Sequence, residues 1–228
     1  MRFKGVIFSI DNVLYDTKFQ KDSARISAIR AMIEAGLPVQ VEDGFRVLND
    51  IIAEHGPDYQ WHFDKMLERL GISKKARVIA AGVEAYSETS RAYLQPYPDT
   101  IPTIVRLRDV GCKIGAISSG NPVKQWQKLI KLGVQHLFHH VLISEEIDEI
   151  TVNKKVFQQL IQGLNTSAKE TLFVGNEAHE EFQVANDLGL TTVRIRRGAA
   201  RIEEPRSTAA QPRHVISCLS DLLKIIEG

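Results

Sequence analysis

Ser9 and Asp11 lie two positions apart, directly after the apolar run Val6-Ile7-Phe8. Such a run, bounded by polar residues, reads as a buried central strand whose carboxyl end opens into a turn. In open α/β sheets ligands bind in the crevice beyond the carboxyl ends of the strands, so these two side chains hold the most site-like place in the chain. Asp11 offers a carboxylate for general acid or base work. Ser9 offers a hydroxyl, a weak nucleophile unless a base or a metal activates it. A hydrolase built on paired carboxylates would need a second acid where Ser9 stands.

Two further turns repeat the strand-end pattern. Ser118-Ser119-Gly120 follows the apolar stretch ending at Ile117, and it brings hydroxyls and a glycine whose backbone can approach an anion. Gly175-Asn176-Glu177 follows the stretch ending at Val174, with Glu181 shortly after. Asn176 can give a cation a carbonyl oxygen but no charge, whereas magnesium is usually held by one or two carboxylates. Lys154 and Lys155 read as solvated residues in a first helical turn. His136, His139 and His140 have no ligand spacing repeated elsewhere. Arg194, Arg196, Arg197 and Arg201 form the basic cluster, read as a solvated strand-to-loop end.

The elements that must position these residues follow from periodicity. After the first strand, apolar residues recur at helical spacing through Ala24, Ile29 and Met32, then Leu48 and Ile51, then Met66 and Leu67, and again after Lys74, with Gly36, Gly56 and Gly71 as stops. Four helices joined by short loops read as a small bundle. Pro96-Tyr97-Pro98-Asp99 marks the way out. Strands then alternate with helices: strands at 113–117, 140–143, 171–174, 191–195 and 213–216, and a closing helix at 220–226. This alternation predicts an α/β fold, a Rossmann-like, doubly wound parallel sheet core with an inserted four-helix cap domain. The core is expected at 1–16 and 96–228 and the cap at 17–95. The stretch from Gly198 to Gln211 reads as a surface loop.

Composition narrows the function classes. The 228 residues carry a formal charge of +1, 43% hydrophobic and 25% charged residues, which is ordinary for a globular protein and gives no electrostatic case for nucleic acid or an anionic membrane. Cys112 and Cys218 lack C-x-x-C spacing and read as free, buried thiols of a reducing compartment. No apolar run reaches the roughly 18 residues of a membrane span, and the chain enters a strand with no signal-peptide pattern ahead of it. The expectation is a cytoplasmic protein with neither nucleic-acid nor membrane partners; the oligomeric state is left open.

At this level of detail the chain resembles the haloacid dehalogenase (HAD) superfamily of hydrolases, of the type whose helical cap follows the first strand. Leu14-Tyr15-Asp16, the Gly120-to-Trp126 segment and the helix from Ala80 to Tyr93 are similar to an archaeal phosphatase-like subgroup. The resemblance implies an aspartate nucleophile at position 9, an acid/base aspartate at 11, a phosphate-binding hydroxyl at 118, a charge-stabilising lysine at 151 and a magnesium-binding aspartate at 176. Here those positions are Ser9, Asp11, Ser118, Thr151 and Asn176, so the catalytic motifs are degenerate. By the same resemblance Ser119 and Gly120 join Ser118 around the phosphate, and Asp11, Asn176 and Glu181 are the vestigial metal ligands.

Two readings follow. In the first, the neutral residues at 9, 151 and 176 make the protein deficient in phosphate-ester hydrolysis. It needs no cofactor and binds a small anionic ligand or a protein partner in the core–cap cleft. In the second, it is an active HAD-type phosphatase acting on a small phosphomonoester with magnesium and altered chemistry. A metal-independent dehalogenase ranks last, because its nucleophile would again be the missing aspartate.

Overall fold

The computed structural model describes residues 3–177, 179–198, 204–205 and 207–227. In chain order the regular elements are β1 (Gly5–Ser9), α1 (Thr17–Glu34), α2 (Val41–His55), α3 (His62–Arg69), α4 (Ala76–Tyr93), α5 (Thr100–Asp109), β2 (Lys113–Ser118), α6 (Pro122–Lys131), β3 (His140–Ile143), α7 (Lys154–Gly163), β4 (Thr171–Gly175), α8 (Glu180–Asp187), β5 (Thr191–Ile195), β6 (His214–Ile216) and α9 (Leu222–Glu227). They fall into two compact units, one made of Met1–Lys18 with Leu94–Gly228, the other of Phe19–Tyr93.

The first unit is built on a six-stranded sheet in the order β3-β2-β1-β4-β5-β6, with every neighbouring pair parallel. Alternate side chains of a strand face opposite ways, and both faces here are apolar. Val6, Phe8, Ile114, Ala116, Leu172 and Val174 pack with Ile104 and Leu107 of α5, Leu129 of α6 and Leu222 of α9. Ile7, Ile117 and Phe173 pack on the other side with Phe157 and Leu160 of α7 and Phe182 of α8. Phe173 meets Phe157 and Phe182 edge to face, at centroid distances of 5.0 and 5.2 Å. Helices on both faces of a parallel sheet are the α/β, Rossmann-like arrangement that strand–helix alternation predicts.

The second unit holds α2, α3, α4 and most of α1 around Ile29, Met32, Leu48, Ile51, Met66, Leu67 and Val78. None of the described helices is long and apolar enough to cross a membrane.

Three expectations need adjustment. The closing helix splits into a 3-10 turn at Leu219–Asp221 followed by α9. The loop after β5 lies partly outside the described residues, but its far end is packed rather than loose. Ala210 is buried, and the Asn186 amide donates to the carbonyls of Ala209 and Gln211. Of the two free cysteines, Cys112 is buried but Cys218 is only half-buried.

Candidate active site

Ser9 is the last residue of β1 and stands in register with Ile117 of β2, while Phe8 stands beside Val174 of β4. Continued one step along the β2 ladder and two along the β4 ladder, these registers set Ser118 and Asn176 on either side of Ile10, the residue before Asp11. The three strand-end turns therefore converge. Beyond Asp11 the chain reverses at Asn12, whose φ of 59° is left-handed, a conformation asparagine tolerates better than most residues. Asn12 and Thr17 close the turn reciprocally: the Asn12 N–H donates to Thr17 Oγ1 (3.1 Å) and the Thr17 N–H to Asn12 Oδ1 (3.2 Å).

The Asp11 carboxylate is held from two sides. The buried Tyr15 hydroxyl donates to Oδ1 at 2.6 Å, and Lys128 Nζ lies 2.9 Å from both carboxylate oxygens. Lys128 belongs to α6, and the local sequence explains how it arrives. Gly120, at φ 93°, turns the chain, and Asn121 caps α6 by accepting from the Lys124 N–H with Pro122 at the first helical position. Gln125 is buried and donates to the Ser119 carbonyl at 2.9 Å. Residues three apart share a helix face, so the contact that directs Gln125 at the strand-end turn directs Lys128 the same way.

The third turn carries Asn176, 6% exposed, whose side-chain Nδ2 has no hydrogen-bond partner among the described residues. Its carbonyl accepts from the Nε of Arg194 (3.0 Å), a β5 arginine 1% exposed. Gly175 is needed here because a Cβ would sit 2.7 Å from Phe182. Glu181, in the first turn of α8, is pushed up to about 7, mainly by burial and then by the negative charges of Glu177 and Asp11. Asp11 and Glu181 thus share one electrostatic neighbourhood.

The remaining expected residues lie elsewhere. Thr151 is exposed in the bend before α7. Lys155 is committed to Glu149 (2.8 Å) and the Ile147 carbonyl (3.3 Å), so it does not stand in for the lysine implied at 151. Its hydrogen bond, with a second from Asn153, holds the Glu149 carboxyl below the usual range. Lys128 supplies an ammonium at Asp11 from a different helix. Position 151 is neutral, yet an ammonium still stands at Asp11, because Lys128 reaches in from α6.

The arginine cluster is likewise not a solvated end. Besides Arg194, Arg197 is largely buried: it pairs with Asp99 at 2.8 Å, donates to the Val13 carbonyl and covers the Tyr97 ring at 4.0 Å from its centroid. Burial pushes the Tyr97 phenol up to about 12, with the Asp16 carboxylate adding to the effect. Asp99 also accepts from the Leu219 N–H at 2.6 Å. Arg197 and Asp99 tie the segment after Asp11 to the start of α5. Arg196 is exposed near Glu204, and Arg201 lies outside the described residues. His139 accepts from the Ile114 N–H at 2.9 Å and braces the start of β2.

A family model described as haloacid dehalogenase-like hydrolase matches residues 3–188. The chain belongs to the haloacid dehalogenase-like hydrolases. A protein of Methanopyrus kandleri named glyceraldehyde 3-phosphate phosphatase is 42% identical over 98% of this chain and 97% of its own length. One of Pyrococcus abyssi with the same name is 36% identical over 99% and 94%. Among solved structures, a HAD phosphatase from Thermococcus onnurineus superposes with a TM-score of 0.66 at 24% identity, covering 99% of both chains.

Haloacid dehalogenase-like hydrolases generally use magnesium. The groups at these strand ends do not fit it. Both Asp11 oxygens face an ammonium, position 9 is a hydroxyl, and the orphaned atom of Asn176 is a donor rather than an oxygen. Among the described residues no three His, Cys, Asp or Glu side chains are grouped to hold a metal ion.

Proposed function

We propose that this chain is a phosphatase for a small phosphomonoester of the glyceraldehyde 3-phosphate class, with Asp11 as its acid/base group. The observation that carries the reading is the Lys128 ammonium at 2.9 Å from both Asp11 oxygens: a cation for the phosphate beside a carboxylate for the proton. The names of the relatives at 42% and 36% identity support the substrate class.

The chemistry does not need an aspartyl intermediate. A phosphate dianion seated against Ser118 and the Ser119-Gly120 turn competes with Asp11 for Lys128. Asp11, released from the pair, takes a proton from water as the water oxygen bonds to phosphorus. The ester P–O bond breaks, and the proton returns to the leaving alkoxide. The products are an alcohol and inorganic phosphate. Lys128 neutralises charge on the phosphoryl oxygens.

A second reading is favoured by one specific observation, the hydroxyl of Ser9 at the position where the family resemblance implies the nucleophile: the chain binds the ester without turning it over. Loss of a nucleophile typically removes several orders of magnitude in rate. The two separate in an assay of phosphate release from glyceraldehyde 3-phosphate and from p-nitrophenyl phosphate, with Asp11→Asn alongside. Faster release from the triose phosphate, abolished by Asp11→Asn, is the expected result. Release no faster than in Asp11→Asn leaves the binding reading.

A further inference from the structure

We infer that Lys128 and Asn176 together take the place of the divalent cation, so that this chain binds the phosphate of its ester without magnesium. The inference rests on the phosphomonoester reading above and adds how the phosphate is held. A divalent ion in such a site has two jobs: to neutralise phosphoryl oxygens and to fix their position. This chain has its own group for each.

Lys128 carries the charge. Its side chain is 21% exposed, and Nζ is anchored by two contacts of 2.9 Å to Asp11. It is therefore held at the strand ends, and a cation with little solvent around it interacts strongly with an arriving anion. Asn176 gives direction. It is 6% exposed, its Nδ2 has no hydrogen-bond partner among the described residues, and its backbone is fixed by Arg194 through a 3.0 Å bond. A buried amide N–H without an acceptor is costly, and an oxyanion at the strand ends would satisfy it. Ser118, buried on the other flank of Ile10, makes a long 3.4 Å contact to the Ser119 carbonyl and can exchange it for a phosphate oxygen.

The residue types agree with this assignment. Magnesium calls for carboxylates, whereas a dianion drawn to an ammonium is served by neutral donors around it, and the Asp11 carboxylate already paired with Lys128 is the acid it must displace. Ser9 and Asn176, the two neutral groups where the family resemblance implies acids, are what an anion held by a lysine would select.

The test is calorimetric titration of the full chain with inorganic phosphate, once in EDTA and once in excess magnesium. The expected dissociation constants agree within about two-fold. Lys128→Met weakens binding by about ten-fold or more, the worth of a charge-assisted hydrogen bond, and Lys128→Arg restores most of it. Asn176→Asp lowers phosphate affinity in EDTA and makes it depend on magnesium. Binding that appears only with magnesium, no phosphate binding in either condition, or an unchanged constant in a folded Lys128→Met chain overturns the inference. Should Lys128→Met fail to fold, the EDTA comparison on the unmodified chain decides alone. Turnover of glyceraldehyde 3-phosphate that requires magnesium would defeat this inference and leave the phosphatase reading intact. Magnesium-independent phosphate binding without turnover would do the reverse.

Discussion

Replacing Glu181 by Gln should stabilise this protein in alkaline buffer and leave it unchanged in acid. Glu181 is half-buried in the first turn of α8, where burial and then the charges of Glu177 and Asp11 push its carboxyl from 4.5 to about 7. A group whose folded-state pKa is raised contributes stability that is fully present below the unfolded value. That stability is lost as pH rises through the folded value. The window is therefore pH 4.5 to about 7. At about 1.4 kcal/mol per tenfold change in proton affinity, the ionised form costs at most about 3 kcal/mol above that window. Water reaching the carboxyl reduces this to about 1–2 kcal/mol. A glutamine keeps the shape and carries no charge, so Glu181→Gln should raise Tm at pH 8 by about 2–8 °C for a chain of this size and have no effect at pH 4. The assay is thermal melting followed by circular dichroism across pH 4–8 in EDTA, which removes any metal linkage. An equal Tm difference at both ends of the range, or a lower Tm for Glu181→Gln at pH 8, would refute the electrostatic account of this corner.

Other perturbations test neighbouring parts. Arg197→Met removes the ion pair to Asp99 and the donor to the Val13 carbonyl; it should cost about 2–4 kcal/mol, read as a Tm lower by roughly 5–15 °C, and a change under 2 °C would contradict the clamp. Tyr15→Phe deletes the 2.6 Å bond to Asp11 and should cost about 1–2 kcal/mol by urea denaturation; no change in the midpoint would remove Tyr15 from the site. The Ser9→Asp/Thr151→Lys/Asn176→Asp variant should gain magnesium-dependent hydrolysis of p-nitrophenyl phosphate by about 100-fold or more. No gain would mean that these three positions do not correspond to the family motifs.

How far the sequence led differs from residue to residue. Val6-Ile7-Phe8 announced a central strand because both of its faces are covered, and a run apolar at every position fits nothing half-exposed. Gly120 marked a turn, and its backbone takes the left-handed angle that glycine allows. Convergence of Ser9, Ser118 and Asn176 followed from the rule that parallel strands end on one side. Lys128 was missed because its role depends on the direction of a helix face and the reach of a long side chain to a residue 117 positions away. Arg194 was misread for a related reason. In the sequence it is one basic residue among several near a strand end, and the return of the chain at Asn176 supplies a carbonyl for its Nε in the interior. The raised Glu181 follows mainly from burial, then from Glu177 four positions away and from Asp11, and the burial and the Asp11 charge arise only in the fold.

The most direct test of the central claim is a single-turnover experiment with protein in excess over glyceraldehyde 3-phosphate, so that a trace of contaminating phosphatase does not dominate. The unmodified chain should release inorganic phosphate at a rate that Asp11→Asn lowers by about 100-fold or more. Equal rates for the two proteins would contradict it.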